Sequence, residues 1–212
     1  MANTDRPNGF KPVKHLSGAP YNGQANKYAA PAAETTAIGI GDLVIISTKP
    51  TLTPGKVPGV ESIGTSSVTS GALVGCVVGV LVVDDTGSVS GGASPGLDLP
   101  QYKAASTLKY VLVADAPDLV FEAQEDSVGG TNFALADIGL NIAIQGGAAS
   151  TTTGLSAQEL DSSVTPTTTN SLPLRVVGLV DRPDNEVGTN ARWQVVINTH
   201  AYGGTVTAPS RD

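Results

Sequence analysis

The sequence predicts an all-β protein: an antiparallel β-sandwich or barrel of jelly-roll type carrying an extended, irregular N-terminal arm. Three observations lead there. Aromatic residues make up 4% and charged residues 15% of the 212, while 25 glycines, 14 prolines and an excess of Ser, Thr, Ala and Val fill the rest, a composition that favours strands and turns. The apolar runs are short and separated by Gly/Pro/Thr-rich connections. Few windows have a 3.6-residue apolar period and no tandem repeat recurs, which argues against a solenoid or propeller. The length suits one medium domain, or one domain plus an arm.

Residues 1–33 differ in composition from everything after them. Pro7, Pro12, Pro20 and Pro31 alternate with Asn and Gly, and no apolar period emerges, so neither strand nor helix is predicted. The segment nevertheless holds three of the nine aromatics, Phe10, Tyr21 and Tyr28. Arg6, Lys11, Lys14 and Lys27 against Asp5 give it +3, so residues 34–212 carry −10 of a chain whose net charge is −7. A basic, aromatic-bearing arm on an acidic body is expected to order on another surface, with a domain boundary at 33/34.

Strand signals begin at Ile38. Gly41-Asp42 leads into a strand from Leu43 to Thr48, and Pro50, Pro54, Pro58 and their glycines then break the chain. Ala72 to Val83 is apolar throughout and reads as a buried strand, bent or split at Gly75 or Gly79. Asp84 to Gly96 is a turn-rich loop. Leu108 to Ala114 and Leu119 to Glu125, joined by four turn residues, read as a hairpin or adjacent pair. One helical turn is expected within Phe133–Ile138, and Leu140–Gln145 alternates as a strand. Residues 146–170 read as loop with one short strand. Leu174–Val180 and Arg192–Thr199 are strands flanking a long turn with Pro183, Asn185 and Gly188.

The acidic balance argues against a nucleic-acid surface as the main function. The N-terminus lacks the apolar region of a secretory signal, and the 12 residues of Ala72–Val83 fall short of the roughly 20 needed to span a membrane. The single cysteine, Cys76, lies in that apolar run and reads as a buried thiol in a reducing compartment.

Motifs for chemistry are sparse. Gly92-Ala93-Ser94-Pro95-Gly96 has the spacing of a hydrolase nucleophile elbow, but Pro95 lacks the N–H that an oxyanion hole takes from that position. Val82-Val83-Asp84-Asp85-Thr86-Gly87-Ser88 is similar to the aspartic-protease signature. It occurs once, so catalysis would need a homodimer, Asp84 places a charge where that family usually has an apolar residue, and a polar turn closing a strand is the favoured account, with Asp85 structural. His15 and His200 are far apart and, with one cysteine, give no zinc spacing. Asp181, Asp184 and Glu186 could touch a calcium ion but do not follow an EF-hand. No phosphate-binding glycine motif occurs, so no cofactor, no metal and no enzyme activity are expected. Trp193 alternates with Val195 and Ile197 as a core or interface anchor.

Two segments then stand out together: Pro7-Asn8-Gly9-Phe10-Lys11-Pro12-Val13-Lys14-His15-Leu16 with Gly18-Ala19-Pro20-Tyr21-Asn22-Gly23, and Leu174 to His200, which includes Val177-Gly178-Leu179-Val180 and the run from Trp193. Together they resemble head decoration, or cement, proteins of tailed bacteriophages. The resemblance implies a β-rich body on the outside of an icosahedral shell, partnered by the major capsid protein and by itself as a dimer or trimer; a body rich in Val and Ile with few charges must set apolar surface against a neighbour, and the homotrimer is expected in preference to the homodimer. It implies stabilisation of the shell against internal DNA pressure, and a virion location after assembly in the host cytoplasm, without direct nucleic-acid or membrane contact. Arg6, Phe10, Lys11, Lys14, His15, Tyr21 and Tyr28 are the expected capsid-binding residues. The rival is a carbohydrate-binding β module of a tail or surface fibre, with Trp193, Tyr102, Tyr110 and Tyr202 as possible sugar platforms.

Overall fold

A computed structural model describes residues 3–49, 57–81, 101–128 and 131–203. Among these, the strands are β1 (Lys11–His15), β2 (Asn26–Ala30), β3 (Leu43–Ile46), β4 (Val60–Ser62), β5 (Ser67–Val68), β6 (Leu73–Leu81), β7 (Lys109–Ala114), β8 (Leu119–Gln124), β9 (Asn141–Gln145), β10 (Glu159–Asp161), β11 (Leu174–Leu179) and β12 (Arg192–Ile197). They form two packed sheets whose neighbouring strands pair antiparallel. One has seven strands in the order β1-β8-β12-β11-β9-β10, with β5 added on β9; the other has five, in the order β2-β7-β6-β3-β4. The predicted sandwich is therefore present. Its one expected helical turn is a 3-10 turn at Leu135–Asp137, and no helix among the described residues is long and apolar enough to cross a membrane.

Period-two alternation builds the larger sheet. Phe121 and Ala123 on β8, with Trp193 and Val195 on β12, point into the core. Glu122, Gln124, Arg192 and Gln194, the intervening residues, belong to the outer face. Trp193 is fully buried and meets Phe133 edge-on, with ring centroids 6.2 Å apart.

The smaller sheet is buried on both faces. Leu43, Leu73, Cys76 and Ala114 join the core shared with the larger sheet, whereas Val44, Val74, Val77, Val111 and Val113 form a second core with Tyr28, Ile38 and Val60. This double burial explains why β6 reads as an unbroken apolar run. Each fully buried Val or Leu contributes about 1.5–3 kcal/mol. Register irregularities fall at both glycines expected to bend the run: between Val77 and Gly79 opposite β7, and beside Gly75 opposite β3. The sheets also curl onto their own edges, where Ala29 N–H donates to the Pro58 carbonyl (2.9 Å) and Asp126 N–H to the Leu160 carbonyl (3.0 Å).

Two expectations are corrected. Residues 115–118 do not close a hairpin, because β7 lies between β2 and β6 in one sheet and β8 lies between β1 and β12 in the other. Each apolar run finds partners on both sides, so the turn carries the chain between layers. Residues 1–33 were expected to form no strand, yet they supply β1 and β2, at one edge of each sheet. β1 has no fully buried residue and β2 buries Tyr28, Ala29 and Ala30 in succession, so neither shows the period-two apolar pattern, and each takes its backbone partners from one neighbour. Phe10 and Tyr28 are 1% and 3% exposed, and Phe10 N–H donates to the Gly41 carbonyl at 2.8 Å.

Candidate functional site

The outer face of the larger sheet carries the most built polar site among the described residues. It starts from the turn between β11 and β12. Buried Asn185 closes that turn: its amide donates to the carbonyls of Val180 (2.8 Å) and Arg192 (2.9 Å), and its Oδ1 accepts from Arg192 N–H at 2.8 Å. With the turn held, Arg182 reaches over β8. Its Nη2 lies 2.6 Å from Oε1 and 2.7 Å from Oε2 of Glu122, a carboxylate only 6% exposed.

The N-terminal segment then crosses this face as a strap. Asn3 donates to the carbonyls of Glu186 (2.8 Å) and Thr189 (2.9 Å) and accepts from Glu186 N–H at 3.0 Å. Gln124, at 1% exposure, donates to Asp5 (3.0 Å) and accepts from Arg6 N–H at 3.1 Å. Arg192 Nη2 donates to the Arg6 carbonyl at 2.9 Å. Between strap, sheet and turn lies an open groove of about 380 Å³ lined by Arg6, Lys11, Arg182, Arg192, Glu122, Asp184 and the asparagines at 3, 8, 185 and 190. Four cations face two carboxylates there, on a chain that is acidic overall.

Beyond the strap lies a set of carboxylates. Burial, then repulsion from Asp5 and Asp126, pushes Glu159 up to about 7. Burial also takes Glu125 up to about 7, although it accepts the Phe133 N–H at 3.0 Å. Among the described residues no group of three or more His, Cys, Asp or Glu is arranged to hold a metal. Asp181, Asp184 and Glu186 stand exposed on their turn.

The seven residues expected at the binding surface separate. Arg6 and Lys11 come together in the groove. Lys14 and His15 continue along half-buried β1, where His15 Nδ1 is 3.0 Å from Asp118 Oδ1. Tyr21 packs against the main core and donates to the Gln24 carbonyl at 3.0 Å. Phe10 and Tyr28 lie inside the protein. Tyr28 donates to Asp115 at 2.6 Å, and burial together with that carboxylate raises its phenol above the ordinary range. Sequence reasoning missed Arg182, Arg192, Asn3 and Asn185. Two arginines bracketing a turn already singled out for its acids were the available signal.

Of the proposed sugar platforms, Trp193 and Tyr110 are buried, Tyr102 is half-buried and Tyr202 is exposed. Asp85 and the Gly92–Gly96 loop lie outside the described residues. Compared with models of protein families, with curated proteins and with solved structures, the chain shows no match to any.

Proposed function

We propose that the protein is a head decoration, or cement, protein of a tailed bacteriophage that binds the outside of the icosahedral shell and stabilises it against internal DNA pressure. One observation carries the reading. The two segments that bear the resemblance, far apart in sequence, line one groove on the outer face: β8 alone separates β1 from β12, Asn8 and Lys11 come from the first segment, and Arg182, Asn185 and Arg192 from the second. The face they build bears exposed cations on an acidic chain, which suits an acidic protein surface. Two layers sharing one core, with edges bonded back onto the body, also suit a clamp that must resist outward force. Many copies on one particle would turn modest single-site affinity into a durable hold.

In this reading the major capsid protein is the partner, the protein itself assembles as a homotrimer in preference to a homodimer, and the assembled location is the virion exterior. The buried, unpaired Cys76 fits assembly in a reducing host cytoplasm. The test is incubation of purified protein with expanded, undecorated shells of its own virus. Decoration that raises the shells' heat resistance supports the proposal, and shells that stay bare overturn it. Light scattering reads the oligomeric state, and a monomer at high concentration would remove the trimer.

The carbohydrate-binding rival loses support because three of its four aromatic platforms are wholly or partly withdrawn from the surface.

A further inference from the structure

We propose that the groove on the outer face of the larger sheet is a carboxylate-binding site whose ligand is an extended acidic polypeptide segment. The proposal rests on the decoration reading only for the source of that segment, a surface strand or tail of the shell protein. Its chemistry belongs to the isolated chain.

Register supplies the geometry. Lys11 on β1 stands opposite Glu122 on β8, and Arg192 on β12 stands opposite Gln124, two residues further along β8. Strands lie about 4.8 Å apart and two residues advance about 6.7 Å, which puts the Cα atoms of Lys11 and Arg192 roughly 12 Å from each other. An extended peptide presents side chains on one face at that same two-residue step. Carboxylates four residues apart, about 13 Å, therefore match the two cations, with Arg6 and Arg182 beside the path.

The site is held in shape before any ligand arrives. Arg192 is fixed through Nη2 by the Arg6 carbonyl and by Gln124 Oε1 (3.3 Å), and Arg182 through Nη2 by buried Glu122. A guanidinium carries five N–H donors in a planar fork, so each arginine keeps donors for a second carboxylate. Lys11 and Arg6 are exposed, and four cations against Glu122 and Asp184 leave the groove net positive. A nucleic acid is the poorer occupant, because the groove lining has no aromatic side chain on which a base could stack.

The test is fluorescence anisotropy at low salt, with labelled peptides alternating Ser and Glu over ten residues, or Ser and Gln as the uncharged control. The Glu peptide should bind at least about tenfold more tightly than the Gln peptide, and raising salt to about 150 mM should weaken it several-fold. Lys11→Gln, an exposed change, should weaken binding about three- to fivefold. Arg192→Lys, checked by melting for intact folding, should weaken it about tenfold through loss of the planar fork. Lys27→Gln, on β2 of the other sheet, should leave it unchanged. Equal binding of the two peptides, wild-type binding by Lys11→Gln, or tighter binding of single-stranded DNA of equal charge would each overturn the proposal. If the Glu peptide binds as expected while shells remain bare, the site stands and the decoration reading falls. Decoration without peptide binding has the opposite meaning.

Discussion

Replacing Phe10 by Ala separates an N-terminal segment that belongs to the core from one that is only attached to it. The ring is 1% exposed and packs in the cluster shared by both sheets, with Leu43, Leu73, Cys76 and Phe121 among its members. The backbone around it is fixed as well: the Phe10 carbonyl accepts from Cys76 Sγ at 3.0 Å, and Gly9 sits at φ +68° with no room for a Cβ beside Ser156 and the Gly41 carbonyl. The surroundings therefore have little freedom to collapse onto a void, and removal of the ring should cost about 3–5 kcal/mol. For a chain of this size, each kcal/mol moves Tm by about 2–4 °C, so the melt should fall by roughly 6–20 °C. Trp193 is the only tryptophan and is fully buried, so its fluorescence during urea unfolding reports the same core. Leu16→Ala, at a side chain 58% exposed, is the control and should stay within about 0.5 kcal/mol of wild type. A loss below about 1 kcal/mol for Phe10→Ala would refute the reasoning and restore the segment as a separable arm.

Gly75→Ala should destabilise by about 3 kcal/mol or more, because the new Cβ would meet the Ala114 carbonyl of the paired strand well inside 3.0 Å; an unchanged urea midpoint would contradict that packing. Asp42, Glu125 and Glu159, each pushed up to about 7 by burial, bind protons at a higher pH folded than unfolded. Their stabilising effect is complete below about pH 4 and is lost as pH rises through about 7, by an order of a few kcal/mol per group. His200, held below its usual range by burial, opposes this below about pH 6.5. Melting at pH 5.5 should therefore exceed that at pH 8, with the difference reduced in Glu159→Gln; a flat profile would count against the burial. The Cys76 thiol, raised far above its ordinary range by burial and by Asp42, should ignore a thiol reagent at pH 8 until denaturant is added. Immediate labelling of the native protein would show an open core.

Composition and turn chemistry were enough to read the strand class. β3, β6, β9, β11 and β12 arise where apolar runs are bounded by Gly, Pro, Asp or Asn, and the 3-10 turn falls within the predicted window. These are local effects, since a strand that is buried or half-buried states its own pattern. Burial of Cys76 and Trp193 was legible for the same reason. β1 and β2 were not, because β1 has no fully buried residue and β2 buries three consecutive residues, so neither alternates, and each draws its order from the backbone of one neighbour. The aromatics of that segment read as contacts to a partner, whereas Phe10 and Tyr28 fill cores of this chain.

The groove divides in the same way. The excess of positive charge in residues 1–33 is written in the sequence, and Arg6 and Lys11 could be named from it. That Arg182 and Arg192 join them depends on β8 lying between β1 and β12, and on Asn185 drawing the β11–β12 turn together. Strand order is a property of long-range pairing, in which every buried strand must find two neighbours at once, and no local pattern encodes it. Sequence alone thus determined that the chain would form strands and where it would carry charge. The tertiary structure decided which charges became neighbours, because only packing the two sheets over a shared core brings residues more than 180 positions apart into contact.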